Sequence, residues 1–310
     1  MSNDHSLFDR KLLRARRARF AHELGEHEFL LTHVATEISE RVAAILRDFP
    51  LGLDLGAYSG GLGQRLAEVP SVGRMIYAES VPALAALCPR PALVCDEDLL
   101  PFHDAGLDLV VSGLALHRVN DLPGCLIQIR RALRPDGVFM AALLGARSLG
   151  ELRQALLEAE AESEGGASPR IAPFADVRHY GALLQRAGFG LPVADADILT
   201  LTYASPQALM REIRILGGGN VLLSRRKAPL PRRVLARAEA IYRDCYAAPD
   251  GRVKATFEIV YLTGWGPAAS QQKPLRPGSA AARLADALGT KEQPAGDKAA
   301  FPARPKKDEA

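Results

Sequence analysis

Apolar side chains recur at helical spacing in an early stretch of the chain, and the pattern then changes to short apolar runs. The helical stretch, typical of a helix that packs on a sheet, contains Leu30, Leu31, Val34, Ile38, Val42, Ile45, Leu46 and Phe49. The runs typical of buried strands are Leu51–Leu55, Arg74–Ala78, Ala92–Cys95, Leu107–Ser112 and Val138–Leu144. Helical segments between them include Pro82–Leu87 and Leu122–Leu133. This alternation predicts a mostly parallel sheet with helices on both faces.

The second half of the chain predicts two late strands on either side of a pair of helices. The further helices are Leu149–Glu162, Val177–Ala187, about Pro206–Leu216 and about Arg232–Tyr246, and the late strands are Ile198–Tyr203 and Val253–Leu262. Gly188 is placed to end the second of these helices. The last two helices predict a cap inserted at about residues 205–250, and the strands bring the sheet to seven.

Three parts of the chain are predicted to differ in organisation. Residues 1–25 form a basic N-terminal helix, and residues 26–266 form the main domain with its helical cap. Residues 267–310 are rich in proline, alanine and lysine and contain one aromatic residue, Phe301, so they predict a disordered tail.

Composition narrows the class of protein. The 310 residues are 48% hydrophobic, and the formal net charge of +3 is too small to indicate a nucleic-acid-binding protein. No CxxC pair occurs among Cys88, Cys95, Cys125 and Cys245, which indicates reduced thiols. No apolar run is long enough to predict a transmembrane segment. We therefore expect a cytoplasmic protein, or a protein of the mitochondrial matrix if the source is eukaryotic.

A glycine-rich turn follows the first predicted strand. The strand ends in Asp54-Leu55-Gly56, and Gly60 and further glycines precede the next helix, within the segment Leu51–Gly63. Such a turn lets the backbone approach a ligand closely and directs the free N–H groups of a helix terminus toward it. Because ligands of open α/β sheets bind at the carboxyl ends of the strands, this turn predicts a cofactor site.

Acidic residues follow three consecutive predicted strands: Asp54, Glu79 and Asp96. A dinucleotide site requires Gly-x-Gly-x-x-Gly, and the glycines here have a different spacing. The acids instead suit S-adenosylmethionine, which carries a sulfonium cation and no phosphate. Asp54 would hold the methionine end, Glu79 the ribose hydroxyls, and Asp96 would lie near the adenine amine. The sequence therefore predicts a class I S-adenosylmethionine-dependent methyltransferase fold, which is Rossmann-like.

Two further residues belong to the predicted cofactor site. Leu99 would pack on the adenine base, and Ser112 ends the fourth strand beside the glycine turn. The alternative interpretation is that Asp54 caps a helix and that the other two acids are solvated. The usual pattern of this turn is Asp-x-Gly-x-Gly-x-Gly, and Tyr58 stands where the middle glycine is expected. A tyrosine there either crowds the cofactor or swings outward.

One histidine is a candidate catalytic residue. His117 lies in the loop after the fourth strand, which in this fold faces the transferred group. An imidazole of ordinary pKa, about 6.5, can act as a general base near neutral pH. The alternative is that His117 packs beneath the cofactor. His22, His27 and His33 are five and six residues apart, so they do not share a helix face and predict no metal site.

A block of arginines and one lysine marks residues 9–20. Its cations are Arg10, Lys11, Arg14, Arg16, Arg17 and Arg19. The favoured interpretation is a solvated helix face. The alternative is a docking surface for an acidic partner or for an anionic membrane, to which the protein would bind peripherally.

Several segments resemble a family of assembly factors of respiratory complex I that have a methyltransferase-like fold. They are Leu7–Arg10, Leu107–Ser112, Leu116–Pro123, Glu164–Phe174, Ile241–Arg243 and Ala255–Trp265. The resemblance runs from about residue 7 to about residue 280. A second and more distant resemblance is to malonyl-acyl-carrier-protein methyltransferase of biotin synthesis, over the fourth strand, the His117 loop and the cap.

The resemblances leave three functions open. The first resemblance implies an enzyme that modifies a protein partner, by methyl transfer or by hydroxylation of an arginine on an iron–sulfur subunit of complex I. The second implies methyl transfer to a carboxylate carried by acyl carrier protein. A third hypothesis, suggested by Tyr58, is a chaperone that keeps the fold without turnover.

Overall fold

A seven-stranded sheet forms the centre of the computed structural model, which describes residues 6–272, 279 and 283–291. The strands are β1 (Phe49–Leu55), β2 (Val72–Glu79), β3 (Ala92–Val94), β4 (Leu107–Gly113), β5 (Leu133–Leu144), β6 (Gly190–Tyr203) and β7 (Val253–Trp265). Their order is β3-β2-β1-β4-β5-β7-β6. β7 pairs antiparallel with both β5 and β6, and the other neighbours are parallel. The predicted fold class is confirmed.

Helices cover both faces of this sheet. They are α1 (Arg10–Arg19), α2 (Phe29–Ala43), α3 (Gly61–Leu66), α4 (Pro82–Ala85), α5 (Leu122–Ala132), α6 (Gly150–Glu164), α7 (Val177–Ala187), α8 (Pro206–Ile215) and α9 (Arg232–Tyr246). Two 3-10 helices, Ala21–His27 and Leu116–Arg118, complete this part of the fold. Among the described residues, no helix is both long and apolar enough to cross a membrane.

Local sequence explains where several helices begin and end. Asp121 accepts a hydrogen bond from the Gly124 N–H and caps α5, while Gly188 ends α7 with φ of +81°. Apolar residues on the two faces of the sheet pack against the helices as two large clusters. The chain crosses from β2 and β3 on one side of β1 to β4 on the other, which leaves a crevice at the carboxyl ends of β1 and β4.

Two elements differ from the pattern-based expectation. α2 ends at Ala43, and Leu46 is fully exposed while Phe49 begins β1, so the helical spacing continued by chance beyond the helix. β6 begins at Gly190, eight residues before the predicted start, because backbone pairing with β7 holds a segment whose side chains are mostly exposed.

The end of the chain forms a separate unit that begins at Ser270. Most of the predicted disordered tail, residues 267–310, lies outside the described residues. Within its described part is a short helix, α10 (Leu284–Ala287). Residues 1–5 of the predicted N-terminal helix also lie outside the described residues.

Candidate functional site

Asp54 lies at the carboxyl end of β1, under the glycine turn. Its Oδ2 accepts a hydrogen bond of 2.9 Å from the Gly63 N–H in α3, and its Oδ1 has no hydrogen-bond partner although it is buried. Burial raises the pKa of Asp54 to about 7, and the Gly63 N–H offsets only part of this effect. Gly56 and Gly60 have φ of +72° and +88°, a conformation that glycine adopts without strain.

A cavity of about 160 Å³ lies beside Asp54. Its walls come from α2 and the residue before it, from the glycine turn, from α3 and from the end of β4, and include Glu28, Thr32, Ser59, Arg65 and Gly113. At Gly61 an added Cβ would meet no atom within 4 Å, so this side of the turn is open. Asp54, with its one unpartnered oxygen, therefore lines a space that can hold a ligand.

Glu79 ends β2 and is fully buried. Arg17 of α1 donates from Nη1 and Nη2 to its two carboxylate oxygens, at 2.9 Å each. The N–H groups of Tyr58 and Val81 also donate to Glu79, at 2.9 Å each. This carboxylate, predicted to hold the ribose, is therefore fully hydrogen-bonded within the protein.

Tyr58 points inward, where the motif usually has a glycine. Its φ is +52°, its side chain is 6% exposed, and its hydroxyl donates to the Leu114 carbonyl at 2.9 Å. The Arg17 guanidinium lies 4.3 Å from the centre of the Tyr58 ring, which is cation–π geometry. Tyr58 and Arg17 thus pack together against Glu79, and the tyrosine does not swing outward.

The acids after β3 are also held by α1. Arg10 contacts both Asp96 and Glu97, and Arg14 contacts Asp96. Burial acts to raise the pKa of Asp96, but the arginine charges outweigh it and lower that pKa. Glu97 is 1% exposed and accepts a hydrogen bond from the Ser80 hydroxyl at 3.2 Å. Sequence reasoning chose Asp96 and missed Glu97, its more buried neighbour in the run Asp96-Glu97-Asp98.

The interpretation of α1 as a solvated face is therefore wrong for its inner side. Arg10 and Arg17 have side chains that are 10% and 5% exposed, and both are paired with buried acids. Asp9 caps the helix by accepting from the Leu12 N–H. The sequence carries six cations in ten residues and no signal that separates the buried ones from the others.

The remaining predicted cofactor residues lie at the margins of this site. Leu99 is 75% exposed, so no packed position for a base is formed around it. The Ser112 hydroxyl donates to the Leu55 carbonyl at 2.7 Å and is buried, so it ties β4 to β1. The structure thus brings Asp54, Gly56, Gly60 and Glu79 together, with Asp96 at the edge of the group.

A second, apolar cavity of about 50 Å³ lies on the other side of Tyr58, which lines both cavities. We call it the apolar chamber. Its lining includes Phe8, Leu30, His117, Arg118, Phe174, Ile213 and Phe257. The loop Gly165–Phe174, part of a segment that carries the family resemblance, supplies some of this lining.

His117 lies in the wall of the apolar chamber, with its ring edge-on to Phe174 at 5.5 Å. Both ring nitrogens are buried without a hydrogen-bond partner. Burial lowers the pKa of His117 well below its usual value, and the charges of Arg118 and Arg17 add to this. The imidazole is therefore neutral at pH 7 and available to accept a hydrogen bond or a proton.

The residues fit S-adenosylmethionine at one end of the site and not at the other. The free oxygen of Asp54 and the open face of Gly61 suit the amino-acid end of that cofactor. At Glu79 the positions that ribose hydroxyls would take are held by Arg17. A ribose at Glu79 would have to displace the Arg17 guanidinium.

The three early histidines lie apart from this site. His22 is largely exposed, and His27 and His33 are half-buried. Within the described part of the chain, no group of three or more His, Cys, Asp or Glu side chains is arranged to hold a metal ion.

The chain matches a known protein family, and over most of its length it matches several known proteins. A family profile described as "Methyltransferase domain" matches residues 53–141. The chain is 39% identical over 282 residues to "Arginine-hydroxylase NDUFAF5, mitochondrial" of Mus musculus, covering 89% of this chain and 82% of that protein. It is 40% identical to the protein of that name in Homo sapiens, over 89% of this chain and 81% of the relative.

A further relative is "Malonyl-[acyl-carrier protein] O-methyltransferase" of Halorhodospira halophila, 36% identical over 87% of this chain and 92% of that protein. Both resemblances inferred from the sequence are confirmed. Among solved structures, the YcgJ protein of Bacillus subtilis superposes with a TM-score of 0.52 at 14% identity, over 76% of this chain and 99% of that one. This likeness supports the fold.

Proposed function

Because the chain belongs to the methyltransferase-fold family of the arginine-hydroxylase NDUFAF5, we propose that it binds S-adenosylmethionine and modifies a protein during assembly of respiratory complex I. Its class is that of S-adenosylmethionine-dependent methyltransferases. The proposed protein substrate is an iron–sulfur subunit of that complex. The proposed location is the cytoplasm, or the mitochondrial matrix in a eukaryote.

One observation carries the proposed cofactor site: Asp54 lines the cavity of the glycine turn and keeps a buried Oδ1 without a hydrogen-bond partner. A buried unpartnered carboxylate oxygen costs free energy that a ligand's ammonium or N–H group would recover. Asp54, Gly56 and Gly60 would hold the amino-acid end, and Glu79, Asp96, Leu99 and Ser112 would complete the site. When bound there, the cofactor supplies an electrophilic methyl group on a sulfonium.

The apolar chamber is the proposed substrate site, since it adjoins the cofactor cavity across Tyr58. Its apolar walls exclude water from the reacting group. Neutral His117 would accept a proton from a substrate N–H or O–H as general base, in the form that its depressed pKa maintains at pH 7.

Calorimetric titration with S-adenosylmethionine tests the proposed site. We expect micromolar binding by the wild type and loss of binding in Asp54→Asn. Arg17→Ala should bind about ten-fold more tightly, because the cofactor no longer displaces a buried guanidinium.

Asp104→Asn is the matched control, because Asp104 is an exposed carboxylate paired with Arg131 outside the site. It should bind like the wild type. Absence of binding by both the folded wild type and Arg17→Ala would contradict the proposed function.

A second candidate function is methyl transfer to a carboxylate on acyl carrier protein, as in the Halorhodospira relative. The observation that favours it is Arg118, which lines the apolar chamber, donates to the Leu216 carbonyl at 3.2 Å and has no carboxylate within 4 Å among the described residues. A carboxylate acceptor is already ionised at pH 7 and needs no general base. His117→Gln would then keep most turnover, while Arg118→Gln would lose it.

A third candidate, a chaperone without turnover, is favoured by the inward Tyr58 and the Arg17–Glu79 pair. Mass spectrometry of a complex I iron–sulfur subunit and of malonyl-acyl carrier protein, each incubated with enzyme and cofactor, separates the three. A new mass on the first supports the main proposal, one on the second supports the carboxylate reaction, and none on either supports the chaperone.

A further inference from the structure

The outer side of α1 belongs to a groove with an unusual concentration of positive charge. We call it the basic groove, and its cations are Arg16, Arg19, Arg170, Arg214, Arg225, Arg226 and Lys227. They come from α1, from the Gly165–Phe174 loop, from α8 and from the loop before α9. The groove has a volume of about 620 Å³, and none of its lining residues is acidic.

The acids around the basic groove neutralise only some of these cations. Asp9 pairs with Arg225 at 3.2 Å, Glu160 with Arg170 at 2.5 Å, and Glu164 with Arg226 at 3.3 Å. The other groove cations, Arg16, Arg19, Arg214 and Lys227, have no carboxylate within 4 Å among the described residues. An anionic ligand would therefore find uncompensated charge on several walls at once.

Arg16 is repelled by two other cations of the groove, Arg214 and Arg225. Its Nη1 donates to the Asn220 carbonyl at 2.7 Å, which holds the guanidinium in the groove. Burial lowers the pKa of Arg16, and the charges of Arg225 and Arg214 lower it further. Holding like charges together costs free energy that a bound anion would offset.

The basic groove adjoins the apolar chamber, because Gly219 and Asn220 line both. The Asn220 amide donates to the Pro169 carbonyl at 2.8 Å and so ties the two loops that form the boundary. A ligand in the groove would therefore lie next to the chamber whose wall contains His117. This arrangement suits an extended chain with a side chain that enters the chamber.

We propose that the basic groove binds an acidic segment of the protein substrate and orients it toward the apolar chamber. This inference rests on the proposal that the substrate is a protein. Cations on facing walls can flank an extended acidic peptide, whereas a flat membrane surface would reach only the outermost of them. The peptide is therefore the favoured occupant.

Fluorescence anisotropy with a labelled octa-glutamate peptide and the full chain tests this proposal. Arg19→Glu with Arg214→Glu should weaken binding about ten-fold or more, and the wild-type affinity should fall as salt rises. Both side chains are exposed, so the fold is expected to tolerate the change. The matched control, Arg178→Glu with Arg243→Glu, makes the same charge change at exposed positions outside the groove and should stay within about two-fold of wild type.

Three results would overturn the proposal: equal peptide binding by the groove variant and the control, displacement of the peptide by millimolar inorganic phosphate, or groove-dependent binding to phosphatidylglycerol vesicles. The second would indicate a site for a small anion and the third a membrane surface. Because the readout needs neither cofactor nor turnover, failure here is distinct from failure of the proposed enzymatic function.

Discussion

The two ends of the proposed cofactor site differ in what satisfies their carboxylates. Asp54 keeps one buried oxygen without a partner beside a cavity, whereas every oxygen of Glu79 is bound by Arg17 or by backbone N–H groups. We call these the open end and the filled end. The difference teaches that acids at the right strand ends are not sufficient for an accessible site, because a helix from elsewhere in the chain can bind them first.

The largest effect is expected at the filled end. Glu79→Ala would leave the Arg17 guanidinium buried without its counter-charge, so we expect a loss of about 3–5 kcal/mol in the free energy of unfolding. Urea denaturation at pH 7 measures it. The double variant Glu79→Leu with Arg17→Leu should recover most of the loss, because neither buried charge remains. A loss below about 1 kcal/mol in the single variant would show that the pair is not buried in solution.

A smaller, pH-dependent effect is expected at the open end. The folded-state pKa of Asp54, about 7, lies above its ordinary value of 3.8. Its contribution to stability is therefore complete below about pH 4 and is lost as pH rises through about 7. Asp54→Asn should remove this decline, so its stability relative to the wild type should rise by up to roughly 4 kcal/mol between pH 4 and pH 8.

Urea denaturation of both proteins from acid to mildly alkaline pH gives the difference curve for Asp54. Subtraction removes the titration of all other groups that the two proteins share. A flat difference would mean that the Asp54 carboxylate is solvated, and the open end would then carry no unsatisfied charge.

The smallest effect is expected at the outer edge of the filled end. The Arg14 and Asp96 side chains are 37% and 34% exposed, so solvent screens their interaction. Arg14→Ala should lower the free energy of unfolding by no more than about 1 kcal/mol. The shift in the midpoint of thermal unfolding measures this loss. If Arg14→Ala lost as much free energy of unfolding as Glu79→Ala, the strongest ion pair of α1 would be the one with Asp96 and not the one with Glu79.

Much of the sheet could be predicted from the alternation of strands and helices, because burial on both faces gives short apolar runs. α7 and α9 were predicted with the observed bounds because their apolar spacing and end residues agree. The start of β6 was not, because Gly190–Asp197 is held by main-chain pairing with β7, which leaves no apolar signal.

The sequence predicted where the acidic residues of the candidate site lie, but not which arginines pair with them. Asp54, Glu79 and the glycine turn follow from strand ends that precede helices, and whether they bind a cofactor stays a prediction. Arg17 reaches Glu79 across 62 positions, and nothing in its local sequence distinguishes it from Arg16 or Arg19. Glu97 could have been considered beside Asp96, since either residue of an acidic run can turn inward.

The contacts of the N-terminal segment also set an order of events during translation. Arg17 binds a residue 62 positions later, Arg10 one that is 86 later, and Asp9 one that is 216 later. At typical synthesis rates, these partners emerge roughly 3 to 40 s after the helix itself. Glu79 and Asp96 become covered by α1 only after the helix has bound them. The ion pair of Asp9, the residue that caps α1, forms only after Arg225 has been synthesised. The nascent chain therefore carries an exposed, unpaired cationic segment until its acidic partners have been synthesised, and those carboxylates stay accessible until the segment has bound them.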